Sequence, residues 1–533
     1  MKKSGRPPVG YLCVVLHAHL PYVRHPEHED FLEEDWLFEA ITETYAPLLA
    51  AFERLDEERV PYRVTMGVTP PLVAMLGDPL LQARYRRHLE RLRELAEREV
   101  ASNPEGTPLG RLARFYQRFF ADVHAFVCER HGGSVLDALR AARQRGSLEL
   151  ITCTATHGFL PLLGTDGARR AQVRVGVEAY RRTFGAAPGG TWLGECAYAR
   201  GVDEMLAEEG IDYFFLDSHG LLYGEPPPVY GVFAPVQTPA GCHAFARDSE
   251  ASRQVWSARE GYPGDPWYRE FYRDLGWDAD YEYIRPYLHG DGVRRGVGIK
   301  YHRVTGDVAL HLKDFYDPRA ARERAAVHAG HFLFHRQAQA RHLRAGMDRP
   351  PIIVAPYDAE LFGHWWFEGP LFVEYLIRKA AHDQDEILMV TPTDYLERHP
   401  QVQEQQPCPS TWGAEGYAKV WLNGGNAAFY RHQHHAERRM ARLVERFPDA
   451  QGERKRALDQ AARELLLLES SDWAFIVHGG TSVPYAVKRM RDHLQRFHRL
   501  ADMAESGQVD GDEIGRLEAL DAIFPWLDYR AFR

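Results

Sequence analysis

Ile352-Ile353-Val354-Ala355-Pro356-Tyr357-Asp358-Ala359-Glu360 runs from an apolar stretch straight into two carboxylates. A short, continuously apolar run of this kind is a strand buried on both faces, as in parallel sheets. Polar residues at the carboxyl ends of parallel strands mark the functional face. Thr191-Trp192-Leu193-Gly194-Glu195-Cys196-Ala197-Tyr198 repeats the pattern with one acid, Glu195. Each acid has an ordinary reading, Glu195 as a helix cap or surface acid and Asp358 as a turn residue. Together, with Tyr198, Phe362, His364, Trp365 and Trp366 beside them, they fit a retaining glycosidase pair, whose carboxyls stand about 5–5.5 Å apart.

Working outward, five further β-rich runs precede residue 400: Tyr11 to Leu16, Tyr62 to Met66, Leu148 to Cys153, Tyr213 to Leu216 and Ile387 to Val390. Seven strands interleaved with helical patterns predict an α/β chain with a parallel sheet or barrel. His17 and His19, His157, Asp217 and His219, and Thr391 and Asp394 follow those runs as candidate functional positions. Residues 78–145 are rich in Arg, Glu, Leu and Ala at helical spacing and are too long for one crossover, which predicts a helical insertion. Tyr223 to Gly306, rich in Gly, Pro, Tyr and Trp, reads as a long functional loop, with Tyr262 as candidate lid residue. A polar linker near residues 401–409 then separates a catalytic region, 1–400, from a helical C-terminal domain, 410–533.

The 533 residues carry a formal charge of −10, and they offer no long Lys/Arg block for a nucleic-acid backbone. Six scattered cysteines without C-x-x-C spacing, a short N-terminal apolar run and the lack of a spanning segment lead to the expectation of a cytoplasmic protein without membrane contact. A monomer is expected. Eleven tryptophans, many beside Gly, Asp or Pro, fit stacking platforms for sugar rings as a set, although any single one is better explained as core. Phosphate-loop, dinucleotide and nucleophile-elbow motifs are missing.

His17 and His19 alternate at a strand end. They suit either metal ligation, with Asp217, His219 or His157 completing the set, or hydrogen bonding to substrate and carboxylates, which the lack of a compact His/Asp cluster favours. Ser470-Ser471-Asp472-Trp473 is a polar patch after a Leu-rich helical stretch. It reads equally as a buried join between domains and as a hand reaching into the barrel mouth through Asp472.

Five ordered motifs resemble glycoside hydrolase family 57, and within it the 1,4-α-glucan branching enzymes. They are His17 to Tyr22, His157 to Pro161, Trp192 to Tyr198, Ala355 to Trp366 and Ser471 to Trp473. The resemblance implies a (β/α)7 barrel with a helical insertion and an all-α C-terminal domain. It implies Glu195 as nucleophile, Asp358 as general acid/base, no metal and no cofactor. His17, His19 and His157 are expected around the donor sugar, with Trp36, Trp277, Trp412, Trp473 and Asp472 along the glucan groove and Arg273, Gly290 and Thr481 as further sugar contacts. The expected substrate is amylose, glycogen or another α-1,4-glucan. The family usually has Pro before the nucleophile, where this chain has Gly194. Rival readings are an amylase or 4-α-glucanotransferase on the same scaffold, a metal-dependent hydrolase, and a non-catalytic glucan-binding protein.

Overall fold

The structure, a computed structural model, describes residues 7–257 and 260–533. Ten strands form its sheet: β1 Gly10–Ala18, β2 Val64–Val68, β3 Leu148–Cys153, β4 Gly190–Trp192, β5 Tyr213–Leu216, β6 Val236–Gln237, β7 His243–Ala246, β8 Ile352–Asp358, β9 Ile387–Met389 and β10 Gln403–Glu404. The order β7-β5-β4-β3-β2-β1-β8 is parallel throughout. The Asp248 N–H, just past β7, donates to the Val354 carbonyl of β8 at 2.8 Å and brings the two outer strands together. This is the (β/α)7 barrel, with a helical C-terminal region after it.

The seven barrel strands differ by one from the sequence expectation. β7 lies inside the stretch read as a long loop, because His243-Ala244-Phe245-Ala246 is short and has no β-branched residue. β9, counted as the seventh, pairs only with Gly10 to Leu12 of β1. Tyr11 takes Ile352 as partner on one side and Leu388 on the other, so β9 wedges beside β1 near its amino end, before β2 takes over that edge at Val15. Thr391 and Asp394 therefore lie away from the carboxyl-end rim and form the capping box of helix Pro392–Arg398.

Between β2 and β3, helices Pro79–Ser102 and Pro108–His124 flank the break at Asn103 to Gly106, and helix Val135–Arg145 leads back into β3. Asp78, Thr107 and Ser134 cap the three with side-chain oxygens. The C-terminal helices are Ala427–Arg446, Gly452–Leu468, Ser471–Gly479, Val483–Ser506 and Gly511–Leu520. Their Leu-rich faces join the core that fills the space between the barrel strands and their covering helices. Ser471–Gly479, the shortest of the five, is the one whose N-terminus meets the barrel mouth. No helix among the described residues is long and apolar enough to cross a membrane.

Candidate active site

β4 ends at Trp192, and the chain then turns sharply, with Glu195 at φ 62 and ψ 25 and Cys196 at φ 49. Two successive non-glycine residues in the left-handed region store strain, and the turn holds the Glu195 side chain inside the barrel mouth, 7% exposed. Gly194 is required here, since a Cβ on it would stand 2.9 Å from the Gly158 carbonyl and 3.0 Å from that of His157. A proline at this place needs the 157–158 segment to sit further off.

Two donors from beyond the barrel grip the Glu195 carboxylate. The Trp412 indole N–H donates to Oε2 and the Ser471 hydroxyl to Oε1, each at 2.8 Å. Burial pushes the Glu195 carboxyl up from its ordinary value near 4.5 to about 7, while these donors pull it down and Asp472 adds to the rise.

Asp358 closes β8 in register with His17 of β1. Among the described residues its carboxylate has no hydrogen-bond partner. Burial first, then Glu360 and Glu195, drive it well above the usual carboxylate range. Glu360 is held by the His19 backbone N–H at 3.1 Å and by the Tyr45 hydroxyl, so it is fixed beside Asp358.

Three histidines stack beneath the pair, His19 on His157 with ring centres 3.8 Å apart and His17 on Trp192 at 4.7 Å. His157 Nδ1 lies 2.8 Å from the Ser471 oxygen and its Nε2 3.0 Å from His17 Nε2. Burial, with the neighbouring imidazoles, lowers both His17 and His157, which are neutral at pH 7. The donors then have one order. Ser471 donates to the ionised Glu195, His157 Nδ1–H donates to Ser471, and His17 Nε2–H donates to His157 Nε2. That leaves His17 Nδ1 a buried acceptor without a partner, facing Gly67, whose missing Cβ would stand 3.1 Å from it. His19 differs: its Nε2 meets Asp472 Oδ1 at 2.9 Å, and this pair raises His19 against the depressing effect of burial. Asp472 is lowered by the same partner and accepts a second bond from Ser470 at 2.6 Å.

Around this centre opens a cleft of about 1420 Å³. His17, His19, His157, Trp36, Glu195, Trp277, Asp358, Trp412, Asp472 and Thr481 all line it. Four expected residues do not, and each has a physical reason. Trp473 is 1% exposed and donates its indole N–H to the Leu467 carbonyl at 2.8 Å. One residue on from Asp472, it is turned by about 100° around the helix and faces the core. Tyr262 is no lid residue: its ring packs on His328 at 4.5 Å and its hydroxyl meets His331 Nδ1 at 2.9 Å. Arg273 is spent on Asp278 Oδ2 and the Leu310 carbonyl, each at 2.8 Å. Gly290 is exposed, and its neighbour His289 lines the cleft instead, bonded to Asp35 at 2.6 Å.

Sequence reasoning missed Ser471 as the hinge between His157 and Glu195, and missed Trp256, Tyr272 and Phe475 on the cleft wall. Tyr272, 68% exposed, lies in the aromatic stretch read as a functional loop, where residue type does not tell which ring faces the cleft. Of the paper metal ligands, Asp217 caps helix Ser218–Leu222 and binds Arg247, while His219 Nε2 meets the Gly416 carbonyl at 2.8 Å. His19, His157 and Asp472 do offer ligand atoms within 4.8 Å of one another, and each already has hydrogen-bond partners within the site.

Residues 13–286 match the family model described as glycosyl hydrolase family 57. The chain belongs to glycoside hydrolase family 57. Residues 432–532 of this family 57 chain match a second model, the C-terminal region of 1,4-alpha-glucan branching enzyme. The chain is 35% identical to a 1,4-alpha-glucan branching enzyme of Thermococcus kodakarensis, over 97% of its own length and 77% of the relative's. Among solved structures it resembles the alpha-amylase AmyC of Thermotoga maritima, with 43% identity and a TM-score of 0.91 over 98% of this chain and 99% of that one. The branching enzyme of Pyrococcus horikoshii gives 33% identity and a TM-score of 0.87 over 98% and 97%.

Proposed function

We propose that this family 57 enzyme is a retaining 1,4-α-glucan branching enzyme with Glu195 as nucleophile and Asp358 as general acid/base. The observation that carries the reading is the pair itself: a buried Glu195 and a half-buried Asp358 carboxyl in one sugar-sized aromatic cleft, one with two hydrogen-bond donors and one with none among the described residues. The donors favour charge on Glu195. Asp358, raised by its surroundings, flanked by two acids and without a donor to favour its charge, keeps the proton the pair shares.

Glu195 attacks the anomeric carbon of an α-1,4-linked glucosyl unit, and Asp358 gives its proton to the departing O4. A β-linked glycosyl-enzyme ester forms at Glu195, with Ser471 and Trp412 still on its two oxygens. Asp358, now ionised, takes the proton from the 6-hydroxyl of a second chain as that oxygen attacks the same carbon, so the new α-1,6 bond keeps the original configuration. His19 and Asp472, paired at the edge of the centre, suit sugar hydroxyls; Trp36, Trp277, Tyr272 and Trp412 supply apolar ring faces. The similarity to branching enzymes and the C-terminal match support transfer over hydrolysis. Six free cysteines support a reducing, cytoplasmic location.

An amylase is the second reading, favoured by the 43% identity to AmyC; it differs only in letting water replace the acceptor hydroxyl. Amylose incubated with the purified protein, with and without EDTA, separates these readings by proton NMR and isoamylase debranching. New α-1,6 linkages are expected in both samples. Shortened α-1,4 chains alone would establish the amylase, and loss of activity with EDTA would restore the metal-dependent alternative.

A further inference from the structure

Helix Pro318–Arg344 carries a histidine stripe away from the carboxylates. His331 and His335 are four residues apart and so share one helical face. Their Nε2 atoms are 3.1 Å apart and their ring centres 4.4 Å apart. The two nitrogens share a hydrogen bond, and with His331 exposed and His335 partly so, a solvated ion can reach them by displacing that one proton.

A metal ion bonded to two imidazole nitrogens at about 2.0–2.1 Å holds them about 2.9 Å apart at a right angle and about 3.4 Å apart at a tetrahedral one. The observed separation lies between these limits before any ion binds. The far side of His331 is built for the same purpose. Its Nδ1 meets the Tyr262 hydroxyl at 2.9 Å, and a metal-bound imidazole normally donates its other N–H to such a partner. Tyr262 is itself clamped by stacking on His328, whose Nδ1 meets the Tyr268 hydroxyl at 2.7 Å. One ligand therefore has its ring plane fixed, and both stand on a long, packed helix.

We infer that His331 and His335 form a two-imidazole site for a divalent transition-metal ion, distinct from the catalytic cleft, with water in the remaining coordination positions. Occupancy also bears on the cleft wall. Tyr262, which orients His331, is followed by Pro263, and Pro263 lines the cleft as do Trp256 and Ser257 on the other side of the turn.

The test is Ni2+ binding to untagged protein by titration calorimetry, chosen because nickel binds imidazole sites tightly. With 26 histidines in the chain, the reading is the difference between variants. His331→Gln and His335→Gln are each expected to lose one Ni2+ per chain while keeping the circular dichroism spectrum and activity on amylose. Tyr262→Phe should keep the stoichiometry and weaken that site about 10-fold, the scale of an outer-partner loss. Unchanged stoichiometry and affinity in both histidine variants would overturn the inference. So would loss of the ion only in Asp472→Asn, which would assign it to His19, His157 and Asp472.

Discussion

Glu195 and Asp358 stand at equivalent ends of two barrel strands, yet the fold treats them in opposite ways. Glu195 sits on a strained left-handed turn and is gripped by donors from outside the barrel, Trp412 and Ser471. Asp358 sits on regular extended backbone, without a donor, between two other acids. On the proposed roles, the difference teaches that a nucleophile and an acid can be made from the same chemistry by deciding who donates to each. One carboxyl is given stabilisation of its charge; the other is denied it.

The sharpest way to break that comparison is to delete each side chain and supply azide. Glu195→Ala and Asp358→Ala are each expected to lose roughly 10⁴-fold or more in kcat, the scale for members of a cooperating catalytic set. Azide should then yield an inverted β-glycosyl azide from the Glu195 variant, because it replaces the nucleophile. From the Asp358 variant it should yield a retained α-glycosyl azide, because it attacks the ester. The same anomer from both would exchange or dissolve the two roles.

Removing one donor tests the grip itself. A hydrogen bond to a charged group contributes about 1.5–3 kcal/mol, so Ser471→Ala should lower kcat/KM by about 10- to 100-fold. As the proposed nucleophile Glu195 acts ionised, and its carboxyl already stands at about 7. Loss of the donor raises it further, so the acidic limb of the kcat/KM profile should move to higher pH while the alkaline limb, set by Asp358, stays. A uniform drop without movement of the acidic limb would make Ser471 only a packing residue.

The remaining effect concerns stability and leaves catalysis aside. Glu195 holds its proton more tightly folded than unfolded, so its contribution is complete below pH 4.5 and is lost as pH rises to about 7. At about 1.4 kcal/mol per pH unit the loss is about 3.5 kcal/mol. Glu195→Gln should therefore raise Tm at pH 8 and leave it unchanged at pH 4. An equal change at both pH values would show that the carboxylate is not destabilised by burial.

Much of this was legible along the chain, and the misreadings share a cause. Strands with β-branched apolar runs, such as Ile352 to Ala355, announce themselves, and so do the residues they deliver, since a strand end fixes where the next side chain goes. β7 escaped because four residues of His, Ala and Phe carry no strand signal, and Ile387 to Met389 took its place in the count because local pattern does not reveal which edge of β1 a strand will join. Asp472 and Trp473 share one motif, but a helix separates neighbours by about 100°, so one faces the cleft and the other the core.

The sequence by itself determined the alternation of strands and helices, the two carboxylates at strand ends, and the helical character of the last 120 or so residues. Those follow from periodicity and residue type, which act over a few positions. Tertiary structure alone decided the chemistry of each acid: that Ser471, 276 residues downstream, donates to Glu195, that Glu360 crowds Asp358, and that Tyr262 turns from the cleft to His331. A carboxyl's protonation is set by the donors, charges and water within a few ångströms of it, and only folding chooses which distant residues those are.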